Sequence, residues 1–321
     1  MTALVVVVGS FNLDHVWTAG TLPRAGETLG GSYARGPGGK GFNQATAAAR
    51  AGAPTALICA LGDDGGGRMA RELAAADGID VHVQSSDAPT GAAGIFVDAE
   101  GRNTIVLGPG ANAQLSAAHV CSLHAQIAAS RLLLVQLEVP VAAVGEAMRI
   151  ARDAQVTTIL NPAPANAEVL EALLSLCDVL TPNESEFSQL IARHVGERVE
   201  PDEVSALDQP RLHALCRELL PHGSVVITLG ASGCFVSHGS DLRGDERPHY
   251  RVPGERVDAV DTTGAGDAFN GALAASLALE ADAPFAKQVQ LATSFAALST
   301  ESAGAASSMP SRDEVAARFD Q

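Results

Sequence analysis

Two glycines and an aspartate in the run Asp261-Thr262-Thr263-Gly264-Ala265-Gly266-Asp267 carry the sharpest chemical signal of the sequence. The glycines let the backbone turn tightly and aim free N–H groups into one concavity. Phe269, Leu273 and Leu277, at helical spacing beyond them, mark a helix starting near Ala268. N–H donors at a helix start, with the positive end of its dipole, can stabilise charge developing on a transferred phosphoryl group. Asp267 at that start can accept a hydroxyl proton, or it can do no more than cap the helix. Asp261, in a turn with threonine hydroxyls, can likewise join an ion behind the turn or only accept backbone hydrogen bonds.

A second glycine cluster, Gly36-Pro37-Gly38-Gly39-Lys40-Gly41-Phe42-Asn43, opens a stretch of helical length at 41–52. It fits G-x-G-x-x-G through Gly36, Gly38 and Gly41, but no apolar strand runs into it, and Gly41 stands where a P-loop needs Ser or Thr. It reads as a close-approach surface with Lys40 and Asn43 as polar reach for a polyhydroxyl ligand, or as a plain glycine-rich turn. Asn12 and Asp14 follow the run 3–9, and Glu138 follows 131–136. Asn161-Pro162-Ala163-Pro164 and Thr181-Pro182-Asn183-Glu184-Ser185-Glu186 end two further strands. Polar residues in such places lie where open α/β sheets bind ligands, although each can equally serve a turn or a cap. Glu184 and Glu186, two apart, cannot share a helix face, so at most one points at a metal-phosphate centre.

These groups need a scaffold, and the hydrophobic pattern supplies it. Apolar runs at 3–9, 55–60, 131–136, 156–160 and 224–229 alternate with Ala-rich or amphipathic stretches at 41–52, 68–77, 116–129, 140–154, 167–176 and 211–220. Strand alternating with helix predicts an α/β fold, a central mostly parallel sheet flanked by helices on both faces. Two regions, 14–37 and 90–107, break the rhythm with short alternating segments between Gly, Pro and Asp turns, which predicts a small antiparallel β lid over the main sheet. The stretch 193–210 reads as a solvated insertion.

Composition narrows the class of partner. With 46% hydrophobic but only 4% aromatic residues, the core must be aliphatic, as suits helices on a buried sheet. A net charge of -16 and no Lys/Arg cluster argue against nucleic acid and anionic membranes and for a small molecule. Cys59, Cys121, Cys177, Cys216 and Cys234 lack C-x-x-C spacing and read as free thiols in a reducing compartment. Met1–Gly9 has no basic n-region, and no run reaches the roughly 18 apolar residues of a membrane span, so a cytoplasmic protein is expected.

Taken together, Asn12 and Asp14, the Gly-Gly-Lys-Gly-x-Asn run at 38–43, Asn161–Pro164, Thr181–Glu184, Thr228-Leu229-Gly230 and the Asp261–Asp267 block resemble the ribokinase branch of the PfkB carbohydrate kinases. The likeness in order and spacing runs nearly end to end. It implies a single ribokinase-like kinase domain over 1–321, with the lid formed by about 14–37 and 90–107. It implies transfer of the ATP γ-phosphate to D-ribose, giving ribose 5-phosphate, with a different sugar, deoxyribose or a nucleoside as the alternative acceptor. By position, Asp267 would be the catalytic base and Gly264, Ala265 and Gly266 the anion hole. Asn12, Asp14, Gly39, Lys40, Asn43 and Glu138 would hold the sugar together with Asp267. Asn183, Gly266 and the loop Thr228, Leu229, Gly230, Ala231, Ser232 and Gly233 would contact ATP, with Thr293 where a His often meets the adenine. Glu186 would act on Mg²⁺ through water. A potassium ion would take Asp261, Thr263, Ser299, Ser302, Gly304 and Ser308. Phe42 stands where a small residue is usual and would narrow the sugar pocket. The exposed edges of the lid call for a homodimer.

Overall fold

Four consecutive valines make the strand β1 (Val5–Val8), and all four are buried. A run without alternation belongs in a sheet covered on both faces. Val6 and Val8 enter one hydrophobic layer, Val5 and Val7 the other. The structure is a computed structural model that describes residues 3–165 and 169–319. Along the chain β1 is followed by β2 (Asn12–Thr18), β3 (Ser32–Gly38), β4 (Thr55–Gly62), β5 (Asp80–Ser86), β6 (Gly91–Val97), β7 (Asn103–Gly108), β8 (Leu132–Val135), β9 (Thr157–Leu160), β10 (Val179–Leu180), β11 (Ser224–Thr228), β12 (Cys234–Ser237) and β13 (His249–Val252).

The main sheet has nine strands in the order β13-β12-β11-β10-β9-β8-β1-β4-β5. Every pairing from β11 to β5 is parallel, and β12 and β13 close the far edge antiparallel. The five apolar runs become β1, β4, β8, β9 and β11. On either side of β1 the chain order runs in opposite directions, so the crevice outside its carboxyl end is where ligands of such sheets bind.

The second sheet, in the order β3-β2-β6-β7, departs from the expected antiparallel lid. It is mixed: β2 pairs parallel with β6, while β3 and β7 pair antiparallel at the edges. The cause lies in the main sheet. β1 and β5 both lie parallel to β4, so the chain leaves both at the same, carboxyl end of the sheet to enter β2 and β6, which run the same way.

Most helices fall where the sequence put them, among them Lys40–Arg50, Gly65–Ala76, Val141–Asp153 and Gln209–Leu219. The stretch 116–129 divides into Ala117–Ser122 and His124–Ala128, and 167–176 contains the helix Glu171–Ser175, with 167 and 168 outside the described residues. The 193–210 stretch is fastened to the core rather than merely solvated, since Val199 and Val204 are buried and Pro201–Val204 forms a short helix.

Candidate active site

The helix behind the Gly-Ala-Gly turn is Ala265–Leu279, so it begins ahead of the expected start near Ala268 and places Asp267 within its first turn. Gly264 caps it in the left-handed conformation, with φ 80°, which glycine alone enters freely. Asp267 makes no cap. Its Oδ2 accepts from Asn43 Nδ2 at 2.8 Å and its Oδ1 from Gln44 Nε2 at 2.9 Å. A carboxylate held by two side-chain amides from another helix is aimed by tertiary structure, which disposes of the capping alternative.

Those amides come from the helix Lys40–Arg50. Its cap, Gly39, has φ 88°, and a Cβ there would lie 2.7 Å from the Asn12 amide nitrogen. Glycine thus lets the helix start pass directly under β2. Asn12 and Asp14 lie on β2 itself, two residues apart and therefore on one face. Glu138, after β8, caps the helix from a distance: its Oε2 accepts from the Lys40 N–H at 3.0 Å and from Ser10 Oγ at 2.6 Å. Asn43 Oδ1 is buried without a protein partner among the described residues, which leaves an acceptor for a ligand hydroxyl.

Charge is concentrated here. Burial, with the Glu138 and Asp267 charges adding, pushes Asp14 up to about 7. Burial also raises Asp267, against the opposing pull of Lys40, Asn43 and Gln44. For Lys40 burial works downward, but the carboxylates of Asp267, Glu138 and Glu186 outweigh it and hold the ammonium above its usual range. The lysine is the cation that permits so many carboxylates to converge.

A cleft of about 170 Å³ joins Lys40 and Asp267 to Gly264, Gly266, Asn183 and Thr228. A wider groove of about 440 Å³ lies along Ser188–Glu200, but it holds no comparable convergence of buried polar groups. Of the residues expected in an anion hole, Gly264 and Gly266 line the cleft, whereas the Ala265 N–H turns back to donate to the Thr262 carbonyl at 3.2 Å. Asn183 and Glu186 form a capping box at the helix Glu184–Leu190, and burial raises the Glu186 carboxyl. Glu186 lines the cleft and Glu184 does not. In the loop after β11, Thr228 reaches the cleft, Leu229 is buried, and Gly230, Ala231 and Ser232 are exposed ahead of Gly233.

One expectation fails. Phe42 does not narrow a sugar pocket, because it turns into the core and packs edge-on against Phe11 with ring centroids 5.1 Å apart. Thr293 is buried, and its hydroxyl donates to the Val289 carbonyl in its own helix at 2.9 Å. Behind the turn, Asp261 accepts from the Thr263 N–H and the Gly304 N–H, both at 2.9 Å. Burial pushes its carboxyl up, but these bonds outweigh it and hold it below its usual value. Ser308 Oγ donates to the Gly304 carbonyl at 2.7 Å, and buried Ser299 lies next to Thr300, whose carbonyl accepts from the Asp261 N–H. Thr263 and Ser302 are exposed at this cluster's rim. Sequence reasoning missed Gln44, Gln136, Asn112 and Asn270 as site residues, and it placed Asn161 at a strand end without a role. Only the Asn43-Gln44 adjacency and the strand-end position of Gln136 signalled the others.

Known proteins bear on this geometry. The family model described as pfkB family carbohydrate kinase matches residues 2–312. A ribokinase of Haemophilus influenzae is 41% identical over 98% of both chains, and a deoxyribokinase of Salmonella typhimurium is 31% identical over 97% of this chain and 96% of the other. Among solved structures, a ribokinase from Thermotoga maritima superposes with TM-score 0.85 at 31% identity over 99% of this chain and 100% of its own. A ribokinase of Arabidopsis thaliana complexed with ribose and ATP gives TM-score 0.79 at 27% identity, covering 98% of each. Matches that span the chain in sequence and in fold lead to one conclusion: the chain belongs to the pfkB family of carbohydrate kinases and is a phosphotransferase.

Proposed function

We propose that the protein transfers the γ-phosphoryl group of ATP to a hydroxyl of D-ribose, giving ribose 5-phosphate and ADP. The observation that carries this reading is the Asp267 carboxylate, fixed by Asn43 and Gln44 at the start of a helix whose Gly264 and Gly266 line the same cleft. The acceptor hydroxyl gives its proton to Asp267 as its oxygen bonds to the γ-phosphorus. The bond to the β-phosphate oxygen breaks, and ADP leaves. N–H groups at the turn meet the charge that develops on the phosphoryl oxygens. Asn12, Asp14, Gly39, Lys40, Asn43 and Glu138 surround the sugar in this reading, with Asn183 and the Thr228–Gly233 loop toward the nucleotide. The similarity to ribokinases, one of them complexed with ribose and ATP, supports ribose, and the similarity to a deoxyribokinase keeps 2-deoxyribose as the second reading.

Two ions fit the residues present. Glu186 spends Oε2 on the Asn183 N–H and keeps Oε1 for water around Mg²⁺, which keeps most of its water shell and takes phosphate oxygens. Ser299 and Ser308 donate their hydroxyl protons to backbone carbonyls and so retain lone pairs for K⁺ beside Asp261 and Gly304, with Thr263 and Ser302 at the rim. Mg²⁺ would neutralise phosphate charge, and K⁺ would order the turn that meets it. We read the chain as one kinase unit, with the second sheet as lid and dimer surface, working in the cytoplasm; no helix among the described residues is long and apolar enough to cross a membrane.

The test is ATP consumption with D-ribose against 2-deoxyribose, fructose and adenosine, using wild type and Asp267→Asn. Ribose should give the highest kcat/KM, and the variant should lose at least about 10²-fold in kcat with sugar affinity largely kept. A variant within a few-fold of wild type would exclude Asp267 as the base.

A further inference from the structure

We propose that Gln44 is a positioning residue for Asp267, holding the carboxylate toward the acceptor hydroxyl, and that Gln136 fixes which end of the Gln44 amide faces it. The inference rests on the reading of Asp267 as the base. Gln44 is fully buried next to Asn43, and its amide spans three elements. Nε2 donates to Asp267 Oδ1 at 2.9 Å and to Asn161 Oδ1, beyond β9, at 3.1 Å. Oε1 accepts from Gln136 Nε2, beyond β8, at 2.6 Å. Both amide hydrogens and the oxygen are thereby engaged.

The orientation of this chain follows from the base itself. An ionised carboxylate only accepts hydrogen bonds, so the Gln44 atom facing it must be the nitrogen. The Gln44 oxygen then faces Gln136, which must answer with its own NH₂. Gln136 is fully buried, with its Oε1 against the backbone of Gly9, where a Cβ would come within 2.2 Å of that oxygen. The absence of a side chain at Gly9 makes room for that oxygen, which has no hydrogen-bond partner among the described residues.

Gln44 also acts on the proton. N–H groups donated to a carboxylate favour its charged form, and a base must be charged when the hydroxyl arrives. Burial works the other way, as do Asp14 on β2, Glu138 after β8 and Glu186 on the helix Glu184–Leu190. Lys40 is the cation on the same side as Gln44. Lys40 first, then Asn43 and Gln44, act against that opposition.

The test is the pH dependence of kcat/KM for the sugar over about pH 5 to 9, with thermal melts, for wild type, Gln44→Met and Gln136→Met. Gln44→Met keeps the length of the side chain and removes its donor. Asp267 then holds its proton to higher pH, so the acidic limb should move up by about one pH unit. On the acidic limb kcat/KM should fall about tenfold at a given pH, while KM for ATP stays within about twofold. Gln136→Met, which frees the Gln44 amide to rotate, should move the limb the same way by less. A packing role alone would lower the melting temperature, and activity at every pH equally, without moving the limb. Limbs coincident with wild type in both folded variants would overturn the proposal, and Gln136→Met decides alone if Gln44→Met does not fold. Failure of the base reading shows separately, as retained activity in Asp267→Asn.

Discussion

Asp14 shows what the site costs at the level of single residues. Burial and the neighbouring carboxylates raise it from 3.8 to about 7, so the folded chain holds this proton more tightly than the unfolded chain does. Its contribution to stability is complete below about pH 3.8 and is lost as pH rises toward 7. Asp14→Asn should therefore melt higher than wild type at pH 8, with the gap closing toward pH 5, while KM for the sugar rises by about tenfold or more. Melting curves at the two pH values check it, and a variant no more stable at pH 8 would show that the charge is not strained. Phe42 makes the opposite point, since a residue that looked fit to select a sugar serves only the core.

At the scale of elements, the base and the amides that hold it sit on two helices, Ala265–Leu279 and Lys40–Arg50, and their close approach sets the site. Gly271 is the point of contact. A Cβ there would lie 2.4 Å from the Gln44 carbonyl oxygen and 2.5 Å from Ala47 Cβ. These are backbone and short side-chain atoms that cannot swing aside, so Gly271→Ala must push the helices apart. The expected result is a loss of about 1–3 kcal/mol of stability together with a fall in kcat. Urea unfolding and steady-state kinetics measure both. A variant that loses stability at unchanged kcat would mean that the amides follow Asp267 when the helix moves.

For the whole molecule the open question is the second sheet. Its strand β7 is exposed along its length, and Val106, exposed at 64%, shares a face of the sheet with Trp17 and Tyr33, whose rings lie 5.3 Å apart. A small sheet with free edges and such a face is marginal in water on its own. A second copy of the chain, pairing sheet to sheet, would cover it. Light scattering should give the mass of a dimer for wild type and of a monomer for Val106→Asp. A wild type that stays monomeric at high concentration would refute the pairing.

The sequence by itself determined the alternation of strand and helix and five strands of the main sheet, because short continuous Val and Leu runs between helical stretches read as strands buried on both faces, and it located Asp267 and its glycines, whose types and spacing are local. It also placed Asn12, Asp14, Lys40, Asn43 and Glu138 at strand and helix ends. Other features depended on contacts between distant segments. β2 and β6 are parallel because they follow β1 and β5 from the same, carboxyl end of one sheet, which neither segment encodes alone. Phe42 faces the core because its helix start is anchored under β2 by Gly39, while Lys40, Asn43 and Gln44 take the face toward the cleft. Gln44 and Gln136 read as ordinary polar residues in sequence. They became part of the site only when packing brought the ends of β8 and β9 and two helices around one buried carboxylate, whose charged form hydrogen-bond donors favour.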